Sequence, residues 1–249
     1  MGNKQQRTVL VTGAARGIGR KTAELFALQG YNVLINYRAS QVEAMSLAER
    51  LMKRGKLARI FQADVANRTE VDAMVDFCLE QFGSIDVLVN NAGVSQSQLF
   101  TDISEADWDR MLDVNLKGSF NCAQAAVNKY MLNRKMGKII NVSSIWGMAG
   151  ASCEVHYSTA KAGLIGLTKA LAKELGPSNI QVNCVAPGVI KTDMLAEYTA
   201  AELAILEQDT PLMRLGTPQD VAESILFLAS EKASFITGQV LSPNGGYLI

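Results

Sequence analysis

Two side chains in this sequence are spaced for proton transfer. Tyr157 and Lys161 lie four residues apart, which on a helix puts them on one face, one turn from each other. A free phenol has a pKa of about 10 and is neutral at pH 7. A neighbouring ammonium favours the phenolate and should lower that value. A phenol so tuned donates a proton to a reduced carbonyl oxygen, and its phenolate accepts one in reverse. In isolation a Tyr/Lys pair at this spacing is more often an ordinary surface pair, so the surroundings must decide. Ser143 and Ser144 close a nearby apolar run, and a hydroxyl there is placed to donate to an oxygen on which negative charge develops.

A second constellation lies near the start. The apolar run TVLVT is followed by Gly13-Ala14-Ala15-Arg16-Gly17-Ile18-Gly19 and then by a helix-like segment. Glycines allow a sharp turn and a close backbone approach to a ligand. The N-terminus of the following helix offers unpaired N–H groups and a partial positive charge, which together suit a pyrophosphate. The spacing is G-x3-G-x-G, whereas the commoner dinucleotide motif is G-x-G-x-x-G. An acid about 20 residues further on would bind the ribose hydroxyls of NAD. Here the second apolar run ends Asn36-Tyr37-Arg38, with no acid. Arg38 and Arg16 are suited to flank a 2′-phosphate, so NADP(H) is the expected cofactor.

The elements that must position these groups are legible. Strands are expected at 8–12, 32–36, 58–62, 87–90, 138–142, 181–185 and 239–242, alternating with helices. Most are continuously apolar, as strands buried on both faces are. Helix starts are marked by Ser40 with Glu43, Asn67 with Glu70 and Ser104 with Asp107, each resembling a capping box, and by Thr217-Pro218. Alternation of this kind predicts an α/β fold: one doubly wound, Rossmann-type domain over residues 1–249, with a seven-stranded parallel sheet covered on both faces. Ligands of such sheets bind at the carboxyl ends of the strands.

Composition narrows the class. The chain has 249 residues, with 24 Lys+Arg against 24 Asp+Glu. Neutrality argues against a nucleic-acid partner. No apolar run approaches the ~18 residues of a membrane span, and MGNKQQ has neither a signal core nor, with Gln6 in place of Ser or Thr, a myristoylation motif. Cys78, Cys122, Cys153 and Cys184 are scattered, which disfavours zinc and disulfides and fits the cytoplasm. No metal site is expected.

Three further segments carry a resemblance. Asn90-Asn91-Ala92-Gly93 follows the fourth strand, Tyr157-Ser158-Thr159-Ala160-Lys161 follows the fifth, and TGAARGIG opens the chain. Together they resemble the short-chain dehydrogenase/reductase family over essentially the whole chain. Within it the sequence looks most like the 3-oxoacyl-[acyl-carrier-protein] reductase group, through INVSSIWG, YSTAKAGLIGLTKALAKEL, VNCVAPGVIKTDM, PLMRLGTPQDVAESILFLAS and ITGQVLSPNGGYLI.

The resemblance implies roles. Tyr157 becomes the general acid, and Lys161 tunes it and holds the nicotinamide ribose. Ser144, 13 residues before the tyrosine, becomes the catalytic serine, with Ser143 as backbone support. Asn115 in DVNLKGSF matches the fourth catalytic residue, its carbonyl holding a water that leads from Lys161 to solvent. Asp64 and Val65 are expected at the adenine. Asn91, Ala92 and Gly93 should line the adenine ribose and phosphate side, and Pro187, Gly188, Ile190 and Thr192 the nicotinamide. Residues 191–216 should close over the substrate.

The implied activity is NADPH-dependent reduction of a carbonyl to a secondary alcohol, on a 3-oxoacyl thioester or, alternatively, on a sugar, polyol, steroid or other small ketone. A non-catalytic dinucleotide-binding regulator is the alternative from another class. Acyl carrier protein is a candidate partner: Arg134 and Lys135 supply one basic docking position, but Ser178 stands where the other base is expected. A homotetramer is implied. His156, the sole histidine, is not expected to be catalytic, because adjacent helical residues point in different directions from Tyr157. Cys153 and Trp146 are candidates for pocket lining, and Met194 and Met213 for gap filling.

Overall fold

A computed structural model describes residues 6–196 and 198–249. Seven parallel strands form one sheet: β1 (Thr8–Val11), β2 (Asn32–Tyr37), β3 (Ala58–Gln62), β4 (Val87–Asn90), β5 (Gly137–Val142), β6 (Ile180–Val185) and the short β7 (Val240–Leu241). Their order is β3-β2-β1-β4-β5-β6-β7. The order reverses between β1 and β4, and a crevice opens at the carboxyl ends of the strands at such a switch point.

Parity along the strands explains why they read as continuous apolar runs. Val9, Val11, Val33 and Ile35 pack on one face with Phe26, Leu47, Val221 and Ile225. Leu10, Leu34, Leu88 and Ile139 pack on the other with Met74, Val75, Cys122 and Met131. The first face is covered by α1 (Gly17–Leu28), α2 (Gln41–Lys53) and α10 (Pro218–Ala229); the second by α3 (Arg68–Phe82), the helix spanning 105–134 and α8 (Val155–Leu175). Truncating a fully buried anchor such as Phe26 to Ala should cost about 3–5 kcal/mol.

The 105–134 helix is not uniform. It runs through α4 (Glu105–Leu112), a π turn (Asp113–Lys117), α5 (Gly118–Ala126), a second π turn (Val127–Met131) and the short α6 (Leu132–Arg134). Such wide turns are frequent at functional sites, and Asn115 lies in the first. The remaining helices are α7 (Trp146–Ala149) and α9 (Ala200–Gln208).

The caps depart from expectation at one place. Asn67 accepts from the Thr69 and Glu70 N–H groups and Ser104 from that of Asp107. Ser40 makes no such bond, because its backbone (φ −87°, ψ 62°) lies outside the extended conformation that aims an N-cap hydroxyl at the helix. Complete capping boxes form instead at Thr199/Glu202 and Thr217/Asp220, the second with Pro218 at the first helical position.

Candidate active site

The turn after β1 is built to bring backbone close to backbone. Gly13 and Gly17 have φ of +61° and +52°, which side-chain-bearing residues rarely adopt. A Cβ on Gly13 would stand 2.9 Å from the Ala92 Cα. Asn91 fastens the two loops: its Nδ2 donates to the carbonyls of Thr12 (2.9 Å) and Gly13 (3.1 Å). The Thr12 hydroxyl accepts the N–H groups of Asn91 and Ala92, each at 3.0 Å. Asn36 at the end of β2 accepts the Gly13 N–H at 3.1 Å. The N-terminus of α1 carries no side-chain cap and no acid in its first turn. Its N–H groups thus remain free for an anion.

From that turn a cleft of about 440 Å³ runs across the sheet end. Of the residues expected around a dinucleotide, Gly13, Ala15, Arg16, Gly17, Ile18, Arg38, Asp64, Val65, Asn91, Ala92, Gly93, Pro187, Gly188, Ile190 and Thr192 line it. Ala14 and Gly19 do not. Ala14 is fully buried, its N–H given to the Asn36 carbonyl at 2.8 Å, and a Cβ on Gly19 would fall 2.4 Å from Asn91 Nδ2. Both pack behind the turn and shape it. Arg38 pairs with Asp64 and Arg16 with Asp193, each at 3.4 Å, so both guanidinium groups stand at the cleft opposite a carboxylate.

Ser144, Tyr157, Lys161 and Asn115 all reach the same cleft. Ser144 lies two residues beyond β5; its oxygen accepts the Trp146 N–H at 3.2 Å, and its side chain favours the ionised Tyr157 phenol. The Ser143 hydroxyl is committed elsewhere, donating to the Lys161 carbonyl at 2.8 Å. Lys161, only 4% exposed, donates from Nζ to the Val142 carbonyl at 3.0 Å and lies 5.6 Å from the centre of the Tyr157 ring. Asn115, fully buried, spends its whole amide. Nδ2 donates to the carbonyls of Met111 and Val94, each at 3.0 Å, and Oδ1 accepts the Val94 N–H at 3.2 Å. It thereby ties the π turn to the loop after β4. A Cβ on Gly93 would meet Asn115 Oδ1 at 2.6 Å and Lys161 Nζ at 3.3 Å, so this glycine lets the lysine pass.

The electrostatics differ from the sequence expectation. Burial dominates and pushes the Tyr157 phenol up to about 12; the Ser144 hydrogen bond opposes this only in part, and Glu154 adds to it. Burial also pushes Lys161 down to about 8. The two groups share one poorly solvated pocket, which penalises the charged form of each. In the protein alone, Tyr157 is therefore a firmly neutral proton donor.

One wall of the cleft is made by the segment after β6, whose Asp193 reaches Arg16 of the glycine turn. Pro187 accepts the Ile145 N–H at 3.0 Å, and Ile190 bridges to Gly216. Between those anchors lie a 3₁₀ turn (Asp193–Leu195) and α9, a helix with no buried residue. Met194, Leu195, Tyr198 and Leu206 from this segment face the cleft.

Trp146 lines the cleft and meets Tyr247 edge-to-face, ring centres 5.9 Å apart. Cys153 and His156 are not among the cleft residues. His156 is fully buried, with burial holding its pKa down. Tyr198 and Leu206 line the cleft from within the 191–216 segment expected over the substrate, whereas sequence reasoning did not single out Asn36, Ser95 or Glu154, which line it too. Only the loop and helix packing brings them there; nothing in their spacing marks them.

Known proteins resemble the chain over nearly its whole length. The model for a family described as enoyl-(acyl carrier protein) reductase matches residues 13–248. The 3-oxoacyl-[acyl-carrier-protein] reductase FabG of Staphylococcus aureus (strain Mu50) is 44% identical over 243 residues, covering 98% of each chain. The 3-oxoacyl-[acyl-carrier-protein] reductase of Synechocystis sp. is 43% identical, over 98% of this chain and 97% of its own. The (2S)-[(R)-hydroxy(phenyl)methyl]succinyl-CoA dehydrogenase subunit BbsD of Thauera aromatica is 44% identical, over 97% and 96%. A solved structure from Agrobacterium tumefaciens, provisionally described as a gluconate dehydrogenase, superposes with a TM-score of 0.92 at 32% identity, over 97% of this chain and 95% of that one.

The chain belongs to the short-chain dehydrogenase/reductase family. It is an oxidoreductase of that family, which works with a nicotinamide dinucleotide. The tight glycine turn, the uncapped α1 and the length of the cleft fit that group. Among the described residues no helix is long and apolar enough to cross a membrane, and no cluster of His, Cys, Asp and Glu suits a metal ion.

Proposed function

We propose that the protein is an NADP(H)-dependent carbonyl reductase acting on 3-oxoacyl thioesters. The observation that carries this reading is the convergence of Ser144, a neutral Tyr157 and Lys161 at one end of a cleft whose other end is the glycine turn. The dinucleotide, when bound, supplies the hydride. Gly13, Ala15, Arg16, Gly17 and Ile18 would hold its pyrophosphate side, and Asp64 and Val65 its adenine. Pro187, Gly188, Ile190 and Thr192 would hold its nicotinamide. The Ser144 hydroxyl donates to the substrate oxygen as charge builds there. Tyr157 Oη gives that oxygen its proton. Lys161 orients the ribose hydroxyls and restrains the phenol. Asn115 fixes the π turn and the loop beside them.

Preference for NADP(H) rests on Arg38 and Arg16 at the cleft and on the absence of an acid at the end of β2. A 2′-phosphate would draw both guanidinium groups from Asp64 and Asp193 into stronger charge-assisted bonds. The thioester substrate is supported by the relatives from Staphylococcus, Synechocystis and Thauera. Met194, Leu195, Tyr198 and Leu206 give the lid an apolar underside that suits an acyl chain.

The same reading makes residues 1–249 one domain and the protein a cytoplasmic homotetramer. Four free thiols support the first compartment. Exposed Phe120 on α5 and Leu132 on α6 support association along that helix. Exposed Arg134 and Lys135 suit an acidic carrier protein, with Ser178 offering no matching charge.

An NADPH-consumption screen tests the reading. Acetoacetyl groups on acyl carrier protein, coenzyme A and N-acetylcysteamine should oxidise NADPH, and a crotonyl thioester should not. Tight NADPH binding with no oxidation by any ketone would contradict it.

A further inference from the structure

Glu154 occupies the N-cap position of α8, where an acid ordinarily accepts from the first N–H groups of its helix. It makes no such bond. Glu154 lines the cleft along with Ser95, Trp146 and Tyr157. There it meets the Ser95 hydroxyl, 3.5 Å from each of its oxygens, at the far limit of a hydrogen bond. One weak donor leaves most of the carboxylate's acceptor capacity unused. The contact is not needed to hold the Ser95 loop down, because the Gln98 N–H already donates to the Cys153 carbonyl at 2.8 Å. Burial raises the Glu154 pKa, as expected of a carboxylate short of partners, and the group in turn raises that of Tyr157.

We infer that Glu154, assisted by Ser95, is a specificity-determining pair that accepts a hydrogen bond from an N–H or O–H group of the substrate close to the reacting carbonyl and repels a carboxylate there. The inference deepens the reductase reading and rests on it for the position of the carbonyl beside Tyr157. The physical basis is unequal. An amide or hydroxyl supplies the donor that the carboxylate lacks. An anionic acid group would place like charge in a confined cleft, which acts as a built-in rejection of the wrong substrate. A thioester carried on an arm with amide N–H groups meets the requirement; a free 3-oxo acid does not.

The test uses acetoacetamide and acetoacetate, which differ only in that group, with the whole enzyme and NADPH. The wild type should show a kcat/KM ratio of amide to acid of at least about tenfold, and Glu154→Gln should bring the ratio close to one, chiefly by improving the acid. Ser95→Ala should lower the ratio less. NADPH binding by each variant checks that the cleft is intact. Calorimetric binding of both compounds to the NADP+-loaded protein provides a readout that does not need turnover. If neither ketone is reduced but the amide binds better than the acid and Glu154→Gln removes that difference, discrimination by Glu154 stands on binding, and the reductase reading is decided separately by the thioester screen. A ratio near one in the wild type, or one unchanged in Glu154→Gln, by turnover and by binding alike, overturns it.

Discussion

The glycine turn and the lid of the cleft are made differently. At the glycine turn, short polar side chains are tied to main chain: Asn91, Thr12 and Asn36 bond to backbone groups, and Gly13 and Gly19 leave no room for a side chain. At the lid, residues 191–216 hold on by their ends. Ile190 bridges to Gly216, the Leu212 N–H donates to the Gly245 carbonyl at 3.1 Å and Arg214 binds Asp220 through both nitrogens at 2.8 and 2.9 Å, while α9, tied back to Lys191 through Glu207, buries none of its residues. The part shared by every reaction of the family is thus fixed by main-chain geometry, and the part that must suit one substrate is left loosely attached. Elements with few buried contacts are the ones that open at low cost.

Substitutions should separate the two. The largest effect belongs to the turn. Gly13→Ala combines a positive φ with a clash against main chain, and should weaken NADPH binding at least about 100-fold and destabilise the protein by about 1–3 kcal/mol. Titration calorimetry and a melting curve check both. Next is cofactor choice: Arg38→Ala should lower NADPH affinity about tenfold and leave NADH almost unchanged, which parallel binding titrations read directly.

A smaller effect is expected at the lid. Arg214→Ala should raise KM for the ketone several-fold with unchanged NADPH affinity, and should cost only about 0.2–1 kcal/mol, because the ion pair is largely exposed. If Arg214→Ala impaired NADPH binding as much as ketone binding, the division between turn and lid would be wrong.

The pH dependence sharpens the picture. Reduction needs a neutral Tyr157, present at every pH below about 12, and a charged Lys161, lost as pH rises through about 8. Reduction should therefore decline above pH ~8. Oxidation of the alcohol needs the phenolate and should rise with pH. The sign for stability is the same as for a carboxylate whose folded pKa is lowered, but the window lies at high pH. Lys161 has a lowered folded pKa, so between about 8 and its unfolded value the unfolded chain binds more protons, and its contribution to stability should grow across that window. Asp220 has the same sign in an acid window. Arg214 and the Thr217 backbone hold its pKa well below the usual range, so its contribution is present at neutral pH and fades in acid.

How much of this was legible follows the same division. The strands were legible within a residue because most are apolar and buried on both faces; β1 was read one residue too long and the short β7 one residue too long at each end. The glycine turn was legible because main chain restricts its residue types. Tyr157 and Lys161 were legible as neighbours, but not their titration, since burial is a property of the assembled cleft. The failure of Ser40 as a cap depends on its own φ and ψ, which composition does not set. The π turn at Asn115 and the place of Glu154 in the cleft wall depend on the Val94 and Ser95 loop packing against them.

The account stands on Tyr157 as the proton donor. The most direct measurement is kcat/KM of Tyr157→Phe for NADPH-dependent reduction of an acetoacetyl thioester, with NADPH affinity determined on the same preparation. Activity should fall by about 10²–10⁴-fold while NADPH affinity stays within about twofold. A variant that reduces the thioester at the wild-type rate would contradict it.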